Sequence, residues 1–269
     1  MGEATFTNKE IDKFIENEKV LDFKFDRELV LSNDGTDGNQ KIFYITDIHL
    51  MTRISNANCK SQNDIVYFVS HIANKILEEV LLGFHELSII ESKPLVLIGG
   101  DTSNDFAIFR LFVEKLRESN ENLVDFIFVL GNHELWPFPY NDFESIVNTY
   151  RLFLEENGMY LLQNDIIYKD TDDKMYNIAT EELLLLDEIC IREKVRKSRI
   201  IFFGGIGFSG YNEEFNANKS IYRLSIDRET EVKETYKFEI LYDTVYNDFF
   251  GKNLVVFTHM PKDCWHKIK

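Results

Sequence analysis

Phe126-Ile127-Phe128-Val129-Leu130-Gly131-Asn132-His133-Glu134 decides how the chain is read. It opens as an unbroken apolar run, the pattern of a strand buried on both faces. It then breaks on a glycine, where the backbone can turn sharply and approach a ligand closely. The next three positions carry an amide, an imidazole and a carboxylate. Polar groups just beyond a buried strand stand where open α/β sheets place their sites. Gly-Asn is also ordinary turn chemistry, so this stretch alone leaves a turn and a site equally open.

Other strand ends shift the balance. Residues 41–46 (KIFYIT) lead into Asp47-Ile48-His49. Side chains two apart in an extended segment project to one side, so Asp47 and His49 can converge on one ion; the plain alternative is a capping Asp beside an incidental His. Residues 94–98 (PLVLI) lead into Gly99-Gly100-Asp101, and residues 254–257 (LVVF) into Thr258-His259. Residues 200–203 (IIFF) run into the glycine-rich stretch 204–212. That stretch lacks the Gly-Lys-Ser/Thr of a phosphate loop and the strand–helix setting of a dinucleotide fingerprint. It is a tight strand exit or a pocket-lining loop.

Helical patterns separate these strands. Residues 63–82 carry an apolar stripe, with His71 beside it and His85 after Gly83; both histidines read as surface or packing residues. A helix after residue 105 presents Phe106, Phe109, Val113 and Leu116, with Asp101, Ser103 or Asp105 placed to cap it. Another runs from Phe143 to the stop signal Asn157-Gly158. Residues 159–178 suggest short strands around a polar turn at 169–174, and residues 181–197 a helix, acidic first and basic last. Residues 227–250 suggest a helix capped by Ser225 or Asp227, with Val232, Tyr236, Ile240 and Val245 along one side. Residues 1–40 form a polar, acidic extension with weak helical periodicity near Ile11, Phe14 and Ile15 and a turn at 33–39. Strands alternating with helices predict a sheet with helices on its faces, in one domain spanning residues 1–269.

Composition narrows the partners. At 269 residues the chain can bury a sizeable core. Its net charge of -16 disfavours long nucleic acids and anionic membranes, which reward basic surfaces. No apolar run approaches the roughly 20 residues that span a bilayer, and the N-terminus lacks a signal peptide's basic patch and apolar core. Cys59, Cys190 and Cys264 are scattered and odd in number, as free thiols of a reducing compartment are. The expected location is the cytoplasm.

The polar groups at the strand ends are Asp47, His49, Asp101, Asn132, His133 and His259. A mixed Asp, His and amide donor set suits ions such as Mn, Fe or Zn. The motif order (Asp47-x-His49, Gly100-Asp101, Gly131-Asn132-His133-Glu134, then His259) resembles that of the calcineurin-like metallophosphoesterases, over about residues 41–261. The Gly-Asn-His-Glu element is the specific one. The segments GGIGFSGYN and FTHMP also resemble a bacterial branch whose substrates are mostly unassigned.

The resemblance implies a four-layer α/β/β/α sandwich and metal-dependent hydrolysis of phosphoester bonds by a dinuclear centre activating a bridging hydroxide. It implies Asp47 and His49 on one ion, Asn132 and His259 on the second, Asp101 bridging both, and His133 outside the metal shell beside the leaving group. The implied substrate is a phosphorylated small molecule, nucleotide or phosphoprotein. Two departures stand out. Asn104 occupies the place of the family's second aspartate, with Asp105 next, which leaves open what orients His133. The family's final Gly-His-x-His is missing, and the later His266 reads as a surface residue. The chain is therefore expected to be C-terminally incomplete, with its second sheet short of strands and its site completed by a missing segment or a second chain. The rival expectation is a non-catalytic binding module on the same fold.

Overall fold

The structure is a computed structural model and describes residues 29–31, 40–85, 92–139, 141–186, 188–207, 225–249 and 253–260. In chain order the elements are β1 (Leu29–Leu31), β2 (Gln40–Ile45), α1 (Leu50–Asn56), α2 (Gln62–His85), β3 (Leu95–Gly99), α3 (Phe106–Asn120), β4 (Asp125–Val129), α4 (Asn132–Leu135) and α5 (Phe143–Glu156). There follow β5 (Tyr160–Leu161), β6 (Ile166–Asp170), β7 (Met175–Ile178), α6 (Thr180–Leu183), α7 (Glu188–Lys194), β8 (Ser198–Gly205), α8 (Arg228–Phe249) and β9 (Leu254–Thr258). The five-stranded first sheet has order β1-β2-β3-β4-β5, and the four-stranded second sheet β7-β6-β8-β9.

Two-residue periodicity sorts the strand side chains into layers. Ile42, Leu95, Leu97, Ile127 and Val129 of the first sheet meet Ile167, Ile200 and Phe202 of the second in one core. Their neighbours, including Val96, Ile98, Phe126, Phe128, Ile201 and Phe203, face outward. Helices cover both outer faces: Phe109 of α3 packs edge-on against Phe128 at 5.8 Å, and Phe238 of α8 stacks on Phe203 at 5.4 Å. This is the expected four-layer α/β/β/α sandwich. β2, β3, β4 and β5 run parallel, as do β8 and β9. The ends of β2, β3 and β4 therefore all emerge at one edge of their sheet.

Several expectations need correction. Residues 29–31, assigned to the polar extension, form a strand paired antiparallel to β2. The helical and turn expectations elsewhere in residues 1–39 lie outside the described residues, as do most of the glycine-rich stretch, Cys264 and His266. The helix expected over 181–197 is two short ones, α6 and α7. Of the face expected on α8 only Val245 is buried: Val232, Tyr236 and Ile240 are exposed, while Glu231, Glu234, Thr235, Phe238 and Leu241 are buried. Apolar residues fall on both sides of this helix, so periodicity alone does not select the face. Asp227 caps it as expected, accepting from Thr230 N at 2.8 Å. Among the described residues β9 ends the second sheet on the side opposite β7, with all five residues only half-buried.

A buried ion pair fastens α5 to the start of β6. Arg151 pairs with Asp165, whose carboxylate also accepts from Thr180 N at 3.0 Å and Thr180 Oγ1 at 2.6 Å. Burial pushes the Asp165 carboxyl above its ordinary range, and Arg151 opposes that. Arg151→Ala should therefore cost about 3 kcal/mol at neutral pH, because it strands a buried charge. A carboxyl raised in the folded state destabilises it as pH rises above the unfolded value. The deficit should thus shrink as pH falls toward the ordinary carboxylate range, and denaturant unfolding across pH measures it.

Candidate metal centre

The strand ends are stitched to one another by backbone. Asp47 N donates to Gly100 O at 3.1 Å, His49 N to Asp101 O at 2.8 Å and Leu50 N to Thr102 O at 2.8 Å. These bonds continue the β2–β3 ladder past the strands themselves. Within this lacing Asp47, His49 and Asp101 take φ of 56°, 48° and 52°. That left-handed region is uncommon for residues other than glycine. It costs on the order of 1–3 kcal/mol per residue and persists only where the surroundings over-determine it. Asp47 and His49 therefore do not converge by strand alternation, as their spacing suggests. They converge because the chain bends at both positions before α1.

One carboxylate organises the neighbouring turn. Glu134 is buried and accepts from Gly131 N at 2.8 Å, Asp101 N at 2.9 Å, Thr102 N at 2.6 Å and Ser103 N at 3.0 Å. Burial, and then the charge of Asp101, pushes its carboxyl up, while the N–H donors and His259 oppose this. Four donors on two oxygens leave no acceptor position for a proton. Gly131 lies so close that a Cβ there would stand 2.2 Å from Asp101 Oδ1. A larger residue at 131 would displace the carboxylate.

Asp101 sits at the middle of the site and is itself buried. Its Oδ2 lies 4.0 Å from His49 Nε2 and 3.7 Å from His133 Nε2. Its Oδ1 lies 3.6 Å from His259 Nε2 and accepts from His133 N at 3.0 Å. Asp47 Oδ1 stands 3.6 Å from His49 Nε2, an ion-pair distance. The Asp47 carboxylate raises the His49 imidazole, and His49 in turn holds Asp47 low. On the other side His259 Nδ1 meets the Gly99 carbonyl at 2.9 Å, and Nε2 faces Asn132 Oδ1 at 3.3 Å. A carbonyl can only accept, so Nδ1 carries a proton toward Gly99, and Nε2 is the ring nitrogen that faces the cluster. Metal-ligating histidines are oriented in this way.

All six residues singled out from sequence (Asp47, His49, Asp101, Asn132, His133 and His259) thus gather around one carboxylate. The donor set fits divalent ions: oxygen and imidazole donors, a central carboxylate with both oxygens directed into the cluster, and separations of 3.3–4.0 Å. Donors about 2.1 Å from a shared ion stand about 3 Å or a little more apart. The donor atoms of His49, Asp101 and His133 lie within 4.8 Å of one another. His133 is therefore nearer the cluster than a residue set apart from it would be.

Sequence reasoning named the Glu134 carboxylate but gave it no role; its place three residues after Gly131, as in a capping box, was the available signal. It also passed over Trp136, whose ring stacks on His133 at 3.7 Å. Asp105 is the cap of α3, accepting from Ile108 N at 3.0 Å, and Asn104 is exposed. Glu134→Gln keeps the shape but turns an NH2 toward two of the four N–H donors. It should lower stability by about 3 kcal/mol, read as a shift in denaturant midpoint; an unchanged midpoint would contradict the bridging role.

A family model described as calcineurin-like phosphoesterase matches residues 40–266 of the chain. No curated protein matches it, and no solved structure does. With most of its length matched, and the strand-end donors gathered as described, the chain belongs to the calcineurin-like phosphoesterase family.

Proposed function

We propose that the chain hydrolyses phosphoester bonds at a dinuclear metal centre. The observation that carries this reading is the position of Asp101, with one carboxylate oxygen toward His49 and the other toward His259. In this reading Asp47 and His49 would hold one ion, Asn132 and His259 would hold the second, and Asp101 would serve both. Mn, Fe and Zn suit that donor set. Such a pair, when bound, supplies Lewis-acid polarisation of the phosphoryl group and activation of water.

The protein's own groups do the rest. Glu134 holds the backbone on both sides of Asp101 in place, so the central carboxylate is preset. His133 is 23% exposed at the cluster and gives its proton to the departing oxygen. A phosphorylated small molecule, a nucleotide or a phosphoprotein is the substrate class. The charge of -16 works against long nucleic acids. The cytoplasm is the proposed location; among the described residues no helix is long and apolar enough to cross a membrane.

A second reading makes His133 a metal ligand, favoured by its Nε2 lying closer to Asp101 than that of His49 does. Asp101→Asn should lower metal-dependent hydrolysis by more than about 100-fold, the loss typical of mere outer-shell partners, with the unfolding midpoint retained. Activity that survives would contradict the bridging assignment. His133→Ala should keep its metal and lose turnover; loss of an ion would favour the second reading.

A further inference from the structure

His49 has a left-handed backbone, φ 48° and ψ 52°, where β2 gives way to α1. Those two angles set the tilt of the peptide before it and the peptide after it. Both peptides are held at both ends. On the N–H side, His49 N donates to Asp101 O and Leu50 N to Thr102 O, each at 2.8 Å. On the carbonyl side a single residue serves both: Arg53 N donates to His49 O at 3.1 Å, and Arg53 Nε donates to Ile48 O at 2.5 Å. Only the bond to Ile48 O comes from a side chain, and that side chain is half-buried. His49 is the N-cap of α1, yet its own ring makes no capping bond; it is turned toward Asp47 and Asp101.

We propose that Arg53 is the positioning residue for His49: its Nε–H fixes the 48–49 peptide and so the direction in which the imidazole leaves the backbone. This rests on the reading of His49 as a metal donor. A left-handed backbone outside glycine persists only where its surroundings over-determine it. Released from Arg53, the 48–49 peptide can rotate and relieve that conformation at the expense of the bond to Asp101 O. The imidazole then swings with its Cα. A guanidinium donor makes the bond roughly twice as strong as a neutral one would. Groups that orient a metal ligand without touching the ion change its affinity by about 10- to 100-fold.

The distinguishing variants are Arg53→Gln and Arg53→Met. Gln carries a nitrogen at the same place along the side chain as the Nε of Arg, so it can donate to Ile48 O without the charge; Met has similar length and no donor. Binding of Mn²⁺ is followed by the electron-spin resonance of the free ion, with His49→Ala as reference. Arg53→Met should weaken by about tenfold the same ion that His49→Ala removes, and Arg53→Gln should restore most of the loss. In the metal-free protein, the His49 and Leu50 amide hydrogens should exchange several-fold faster in Arg53→Met, and much less so in Arg53→Gln, with the amides of β3 and β4 unchanged. Wild-type binding and exchange in Arg53→Met would overturn the proposal. Equal loss in both variants would mean that charge, not the hydrogen bond, matters, and would also overturn it. Faster exchange throughout the sheet, or a chain that no longer folds, would mean general support of the fold and would overturn it as well. If the wild type binds no Mn²⁺, or His49→Ala binds it undiminished, the reading of His49 as a donor fails; exchange of the two amides then decides by itself whether Arg53 holds the bend.

Discussion

The site depends on one buried carboxylate that makes no chemistry of its own. Glu134 receives N–H groups from both the 101–103 loop and the turn at Gly131. Without it two strand ends would each present unpaired donors in a buried place, at roughly 1–3 kcal/mol per group. With it they become one rigid piece, and Asp101 and His133 are set by backbone and not by their own side-chain preferences. Tyr150 continues the same fastening outward, its hydroxyl donating to the Glu134 carbonyl at 2.8 Å.

The second constraint is backbone conformation. Three candidate donors hold left-handed φ values, and each lies where a β2-end amide bonds a β3-end carbonyl or next to such a bond. The parallel sheet thus acts as a jig. Its register delivers Asp47 beside Gly100 and His49 beside Asp101, and the aromatic and aliphatic layers on either side keep that register from slipping. Strain tolerated at these positions is offset by the core beneath, an arrangement expected of functional sites and wasteful elsewhere.

Much of this was legible in the sequence, for identifiable reasons. β3 and β4 are unbroken apolar runs because they are buried on both faces, and such runs announce themselves. The polar groups at their ends are conspicuous against that background. The positions of Asp47 and His49 were legible but their geometry was not, since a left-handed bend in a non-glycine residue leaves no compositional trace. α1 and α4 were missed because each is only a few residues long, with its N-terminal end fixed by bonds to the 101–102 segment. The buried face of α8 was misread because Glu231 and Glu234 lie inward while Tyr236 lies outward, a choice made by Phe203 and its neighbours in the second sheet. Glu134 escaped because its role is visible only when two distant loops are seen together.

The central claim is that these strand ends form a two-ion site. Its most direct test is elemental analysis of the purified chain after loading with Mn²⁺ and removal of the excess. Two ions per chain is the predicted result, with the set around Asp47 and His49 and the set around Asn132 and His259 each filled. One ion or none would contradict it, and Asp101 would then be a buried carboxylate among histidines without the bridging role given to it here.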